Sequence, residues 1–247
     1  SQGFNDSQWD SILPTKPWED QGFKKLDGYA WYRTKIILPS TLKGLSWLKD
    51  SVQFILGKID DCDQVFLNGE LIGENGKTVF EKKSPDNEFV KARGKWYMDR
   101  KYILSANDPR ILWDKENVLA IRVFDQDGLG GLFSSPYLIS MVDIGDYLRF
   151  GIREEAFQFE GDSLLKKRFF IQNSYARDDF NGMLDVKVIL CENGNTIYER
   201  NSEIRVKKNA ITEDSVMLKT DLSKPALIVF TFTEKNSGKS LTDQIET

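Results

Sequence analysis

The chain has 247 residues, 40% of them hydrophobic and 29% charged, and a net charge of −4; that is enough for one large or two medium domains of ordinary globular composition. The acidic balance lacks the concentrated basic face of a nucleic-acid binder, and the longest uninterrupted apolar run, residues 226–230, falls far short of a membrane span. The chain contains no histidine, so its own residues cannot form a Ser-His-Asp triad, a Cys-His dyad or a histidine-bearing zinc site.

Residues 1–28 are rich in turns, with Pro14, Pro17, Gly22 and Gly28 punctuating a segment that carries Trp9 and Trp18. Both tryptophans are expected to pack, with a ligand platform as the alternative. No export signal is visible, and Ser1-Gln2-Gly3 fits a mature start as well as a cloning remnant. Residues 29–38 read as a strand. Ala30, Tyr32, Thr34, Ile36 and Leu38 share one face; Trp31, Arg33, Lys35 and Ile37 share the other, which fronts solvent or a groove. A short helical turn is expected at residues 42–49.

The first domain is organised around residues 52–74. Val52, Phe54 and Leu56 alternate with Gln53 and Ile55, Gly57 breaks the run, and Asp60, Asp61 and Asp63 crowd into one acidic corner. Asn68-Gly69 then separates two apolar runs, the pattern of a tight hairpin whose central residues need positive φ. Residues 75–100 read as a long charged surface loop, ending on Trp96 and Tyr97 beside Arg100. These three form either an aromatic-basic cluster at a groove edge or the re-entry into the sheet.

Residues 117–125 form a strand covered on both sides, with Leu119, Ile121 and Val123 pointing one way and Val118, Ala120, Arg122 and Phe124 the other. Arg122 needs a partner there, which Asp60, Asp61 or Asp63 could supply. Next comes the loop Asp127-Gly-Leu-Gly-Gly131, whose glycines permit a tight turn or a close approach to a ligand. With no Gly-Lys-Ser/Thr and no helix after it, this is not a nucleotide loop. A last strand of the first domain is expected within residues 136–144, then a bridge. Short strands are expected beyond it at residues 169–171, 184–190, 196–198, 202–206, 215–218 and 226–232, a spacing that suits a β-sandwich. Cys62 and Cys191 fall in different domains on this reading, which argues against a disulfide between them.

Four ordered segments carry a family resemblance: DGYAWYR at 27–33, GKIDDCDQVFLNGELIG at 57–73, RKY at 100–102 and NVLAIRVFDQDGLGGL at 117–132. Together they resemble the sugar-binding jelly-roll domain that precedes the catalytic barrel in family 2 glycoside hydrolases. They are closer still to its version in sialate O-acetylesterases and related bacterial glycan-degrading proteins. The resemblance implies an all-β protein with a galactose-binding-like jelly-roll sandwich over residues 1–145. It further implies an immunoglobulin-like β-sandwich over 146–247, with 146–167 as the bridge. It implies a periplasmic or secreted setting, with a carbohydrate and a catalytic barrel domain as partners. In the hydrolases the loop after the covered strand reaches toward the barrel and helps line the sugar pocket. Asp125 and Asp127 match by position, whereas glycines and Phe133 stand where the hydrolases carry a tryptophan-containing stretch.

Trp31, Trp96, Tyr97 and Phe133, with Arg33, Arg100, Asp125 and Asp127, are the residue types from which a carbohydrate site is built. Rings stack on apolar sugar faces, while carboxylates and guanidinium groups bind hydroxyls in pairs; the alternative is that they close the ends of the sandwich. Asp60, Asp61 and Asp63 could hold a structural calcium, which takes several oxygen ligands and which such sandwiches often carry; no cofactor is required. Glycoside hydrolysis needs two carboxylates roughly 5–9 Å apart across a cleft. In the resembling hydrolases these lie on the barrel, and this chain has no barrel-length βα repeat. The expectation is a non-catalytic carbohydrate-binding or accessory module. The alternatives are the accessory portion of a catalytic hydrolase and a structural or adhesion protein without a sugar site.

Overall fold

The covered strand of the sequence becomes the middle of a sheet in the computed structural model, which describes residues 3–45, 51–84, 87–135, 137–153, 158–159, 165–218 and 225–246. The chain is all-β and divides into two compact units, Ser1–Val142 and Asp143–Thr247. The division falls ahead of the boundary expected at residue 145. Val142 still donates its N–H to Ser51 O at 2.8 Å, whereas Asp143 caps a short 3-10 helix, Ile144–Asp146.

In chain order the first unit contains β1 (Gly28–Ile37), β2 (Ser51–Asp60), β3 (Cys62–Leu67), β4 (Glu70–Asn75), β5 (Thr78–Ser84), β6 (Asn87–Ala92), β7 (Asp99–Ser105), β8 (Glu116–Asp125), β9 (Gly131–Leu132) and β10 (Tyr137–Met141). One antiparallel sheet runs β1-β8-β3-β4 and another β10-β2-β7, with β9 pairing the far end of β2. Leu119, Ile121 and Val123 of β8 and Val65 and Leu67 of β3 point inward against Val52, Phe54, Leu56 and Ile59 of β2. Burying each such side chain contributes about 1.5–3 kcal/mol. Trp18, 1% exposed, plugs the same core.

The expected hairpin is present between β3 and β4, with Asn68 at φ 53° and Gly69 at φ 94°. Gly57 does not break the strand before it. It sits at φ 59° in an irregularity of the β2–β7 register, and pairing resumes through Lys58. A side chain at Gly57 would collide with Ser134 O, so the glycine lets β2 pass the chain beyond β9 and run on to the acidic corner. Residues 75–100 are not one loop: β5 and β6 pair as a hairpin, with Pro85 and Asp86 outside the described residues. Charged residues there mask the alternation of a two-stranded ribbon. The helical turn expected at 42–49 is a 3-10 helix at Ser40–Leu45, its remainder lying outside the described residues.

The second unit holds β11 (Leu148–Ile152), β12 (Gln158–Phe159), β13 (Leu165–Asn173), β14 (Phe180–Leu190), β15 (Thr196–Val206), β16 (Ala210–Leu218), β17 (Ala226–Glu234) and β18 (Ser240–Glu246). β13 pairs with β11, β12 and β16; a second sheet runs β15-β14-β17-β18. Phe230 of β17 stacks on Phe150 of β11 at 5.0 Å and meets Phe169 of β13 at 4.9 Å, which joins the two sheets. The runs expected at 196–198 and 202–206 are one strand, because the polar residues between them pair with β14. β11 and β18 go beyond the expected strands: the first lies in what reads as a bridge, and the second is largely exposed. Cys62 is buried and Cys191 exposed, and both are free. Among the described residues no helix is long and apolar enough to cross a membrane.

Candidate functional site

Two places in the first unit gather chemistry: a cleft beside β1 and the acidic corner at the end of β2. The period of two in β1 turns Trp31 and Arg33 outward while Ala30, Tyr32 and Ile36 pack on the core. Trp31 remains 46% exposed and lies 5.6 Å from the Phe66 ring of β3. The N-terminal segment crosses the same region, with Phe4 and Trp9 in ring contact at 5.5 Å. Trp9 is thus exposed at a groove, unlike the buried Trp18. Arg33 is ion-paired with Asp6, which draws its guanidinium out of solvent.

These groups border two neighbouring hollows. One, of about 740 Å³, lies along β1 and β10 and takes in Asp6, Trp9, Trp31, Arg33 and Tyr137. The other, of about 410 Å³, lies between Phe4, Trp9, Trp31, Arg33 and Phe66. Of the eight residues expected to bind a ligand, only Trp31 and Arg33 line these hollows.

The other six are dispersed. Arg100 is 3% exposed. Its Nε donates to Asp63 Oδ1 at 2.5 Å, Nη2 to the carbonyls of Ile59 and Asp61, and Nη1 to those of Lys95 and Met98. With its donors engaged this way, Arg100 fixes the turn that presents Trp96 and Tyr97, two exposed rings in edge contact at 5.9 Å. Asp127 is exposed on the glycine loop and accepts from Gln126 Nε2. Phe133 is half-buried, its N–H donated to Lys58 O. Asp125 is wholly buried.

The acidic corner also differs from its sequence reading. Asp63 shares the inward parity of Val65 and Leu67, so it points between the sheets and meets Arg100 and the Tyr102 hydroxyl of β7. Burial pushes its carboxyl up, against the pull of Tyr102 and Arg100. Arg122, expected to pair with this corner, instead lies over the Tyr29 ring at 5.1 Å. Asp125 takes the third place: carboxylate oxygens of Asp60, Asp61 and Asp125 lie within 4.8 Å of one another.

The topology explains that convergence. β9 pairs with the end of β2, Asp60 opposite Gly131, while Asp61 N donates to Phe124 O at 2.9 Å. The acidic corner and the glycine loop are therefore neighbours at one end of the first unit. Trp18 N donates to Gly130 O, and Gly130 N donates to Glu19 Oε2 at 3.0 Å. A Cβ on Gly130 would lie 2.4 Å from both Asp125 Oδ2 and the Trp18 ring, so only glycine permits this close approach. Asp61 Oδ2 accepts from Gln126 N at 3.1 Å. Neither Asp125 oxygen makes a hydrogen bond of good geometry among the described residues, although the Asp127 backbone N–H is near enough to pull its carboxyl down. Burial, a hydrogen bond that protonated Asp60 donates to Asp61 and the charges of Asp61 and Asp125 push Asp60 up to about 8. Burial and the charges of Asp61, Glu19 and Asp27 push Asp125 up to about 7.

Glu19 and Asp6 escaped the sequence reading. Nothing in a turn-rich segment signals which carboxylate will reach a loop or strand far along the chain.

No family model matches the sequence, and no curated protein does. Solved structures do. A Bacteroides uniformis β-glucuronidase matches 100% of this chain and 30% of its own, with a TM-score of 0.57 at 17% identity. A family 2 glycosyl hydrolase from Bacteroides cellulosilyticus matches 100% of this chain and 33% of its own, at 0.57 and 14%. A calcium-binding mutant of Bacteroides uniformis β-glucuronidase 2 matches 100% and 30%, at 0.57 and 16%. The chain thus spans about 30% of the length of these enzymes, and its all-β fold matches that portion of them.

Proposed function

We propose that the chain is a non-catalytic, carbohydrate-holding portion of a glycan-degrading system, a galactose-binding-like jelly roll followed by an immunoglobulin-like sandwich. One observation carries the reading: Trp31 and Trp9 leave ring surface open along a cleft of about 740 Å³ in the first unit. Open indoles at such a cleft suit the apolar faces of hexose rings. Because Arg33 is paired with Asp6, the cleft favours neutral sugars over uronic acids. Capture on these terms needs no cofactor; a cation, where bound, serves the fold. The fold likeness to family 2 hydrolases supports a glycan-degrading setting; a periplasmic or secreted location is part of the proposal.

A second reading has one observation in its favour. The chain spans about 30% of its structural neighbours, which suits the accessory portion of a hydrolase whose catalytic barrel lies outside these residues. The two readings differ in what occupies the Trp31 cleft, a sugar or a barrel surface.

A glycan array with calorimetric titration of its hits separates them. The expected result is millimolar or tighter binding of a neutral oligosaccharide, lost in Trp31→Ala. Failure to bind any oligosaccharide at millimolar concentration overturns the carbohydrate-holding reading and leaves docking or adhesion. Glycoside turnover by this polypeptide alone overturns the non-catalytic one.

A further inference from the structure

We propose that Asp60, Asp61 and Asp125 form a binding site for a divalent cation, calcium in preference to magnesium, which ties the end of β2 to the end of β8. The site is separate from the Trp31 cleft and does not depend on how that cleft is used.

Asp125 is the key group. Strand alternation carries it inward after Leu119, Ile121 and Val123, and it is 0% exposed with neither carboxylate oxygen hydrogen-bonded among the described residues. An isolated buried carboxylate costs several kcal/mol or more unless something compensates it. No cationic side chain among the described residues does so, for the guanidinium at this corner, Arg100, is directed to Asp63 and backbone carbonyls. Asp125 is aimed at Asp60 and Asp61, and the oxygens of the three converge within 4.8 Å. Calcium binds oxygen at about 2.3–2.6 Å, so two oxygens on one ion stand at most about 5 Å apart, and the cluster meets that limit.

Gly130 lets the backbone of the loop pack directly against Asp125 Oδ2, where a Cβ would collide. Glu19, held by Gly130 N through Oε2, stands outside the three-carboxylate cluster, and its buried Oε1 has no hydrogen-bond partner among the described residues. Magnesium demands a near-octahedral shell and keeps several waters, which a wholly buried Asp125 does not favour. Asp60 and Asp61, both half-buried, leave room for the one or two waters of a calcium shell.

The test uses the full chain, melted in chelator, in calcium and in magnesium, with calcium binding measured by calorimetry. At a hundredfold excess over the dissociation constant, calcium is expected to raise the melting temperature of the first unit by about 5–10 °C, and magnesium by much less. Asp125→Asn should weaken calcium binding by about 10- to 100-fold or more, and Asp127→Asn, on the adjacent exposed loop, should leave it unchanged. Where Asp125→Asn does not fold, Asp60→Asn serves in its place. Equal melting in chelator and calcium with no heat of binding overturns the proposal. So does a calcium shift that survives both Asp125→Asn and Asp60→Asn. An equal response to magnesium overturns the preference for calcium.

Discussion

Arg100 on β7 reaches across the first sandwich to Asp63 on β3, Nε to Oδ1 at 2.5 Å, and the two side chains are almost fully excluded from solvent. The pair, with the Tyr102 hydroxyl donating to Asp63 Oδ2, joins the two sheets through charge and hydrogen bonds inside the core. Removing one member leaves the other charge buried, so Arg100→Met should cost about 3–5 kcal/mol. Arg100→Met with Asp63→Leu should recover most of that loss. Tyr102→Phe, which removes one donor to Asp63, should cost about 1–3 kcal/mol. Urea denaturation of the parent and these variants checks all three statements; a double variant no better than Arg100→Met would contradict them.

Gly57 lets β2 continue past the segment beyond β9. At φ 59°, with Ser134 O 1.9 Å from an added Cβ, Gly57→Ala strains the backbone and meets a backbone atom that cannot rotate away. The expected cost is about 2–4 kcal/mol, read from the urea midpoint. An unchanged midpoint would mean that the two segments are not packed as described.

The second unit depends on Phe230, fully buried between Phe150 and Phe169. Phe230→Ala should destabilise that unit by about 3–5 kcal/mol. All six tryptophans lie in the first unit, so the tryptophan fluorescence transition should keep its midpoint.

Trp31 is the reverse case. It is exposed on a face that already holds Phe66, so Trp31→Ala should change stability by less than about 1 kcal/mol while lowering oligosaccharide affinity at least about tenfold. Trp96→Ala, on the turn held by Arg100, should lower neither. Equal effects of the two substitutions on affinity would place the sugar elsewhere.

Strand periodicity makes much of this legible beforehand. The two faces of β1, the Asn68-Gly69 hairpin and the inward face of β8 all come from apolar alternation and turn chemistry. Carried one step further, the alternation Leu119, Ile121, Val123 puts Asp125 inside, and Val65 and Leu67 do the same for Asp63. Local crowding, or position in a resembling loop, suggests other roles for these two acids, and parity overrides each. What alternation does not contain is the choice among distant charges. Arg33 finds Asp6 and Asp63 finds Arg100 only once the sheets have stacked. Strands rich in charge, such as β5, β6 and β18, carry too weak an apolar signal to stand out from loops.

The most direct test of a carbohydrate held at the β1 cleft uses the six tryptophan indoles as reporters in a proton–nitrogen correlation spectrum, titrated with the neutral oligosaccharide that binds best on the array. Shifts at the Trp31 and Trp9 indoles, with the buried Trp18 unmoved, are the predicted result. Movement at Trp96 with Trp31 silent, or no movement at any indole up to millimolar sugar, would contradict it.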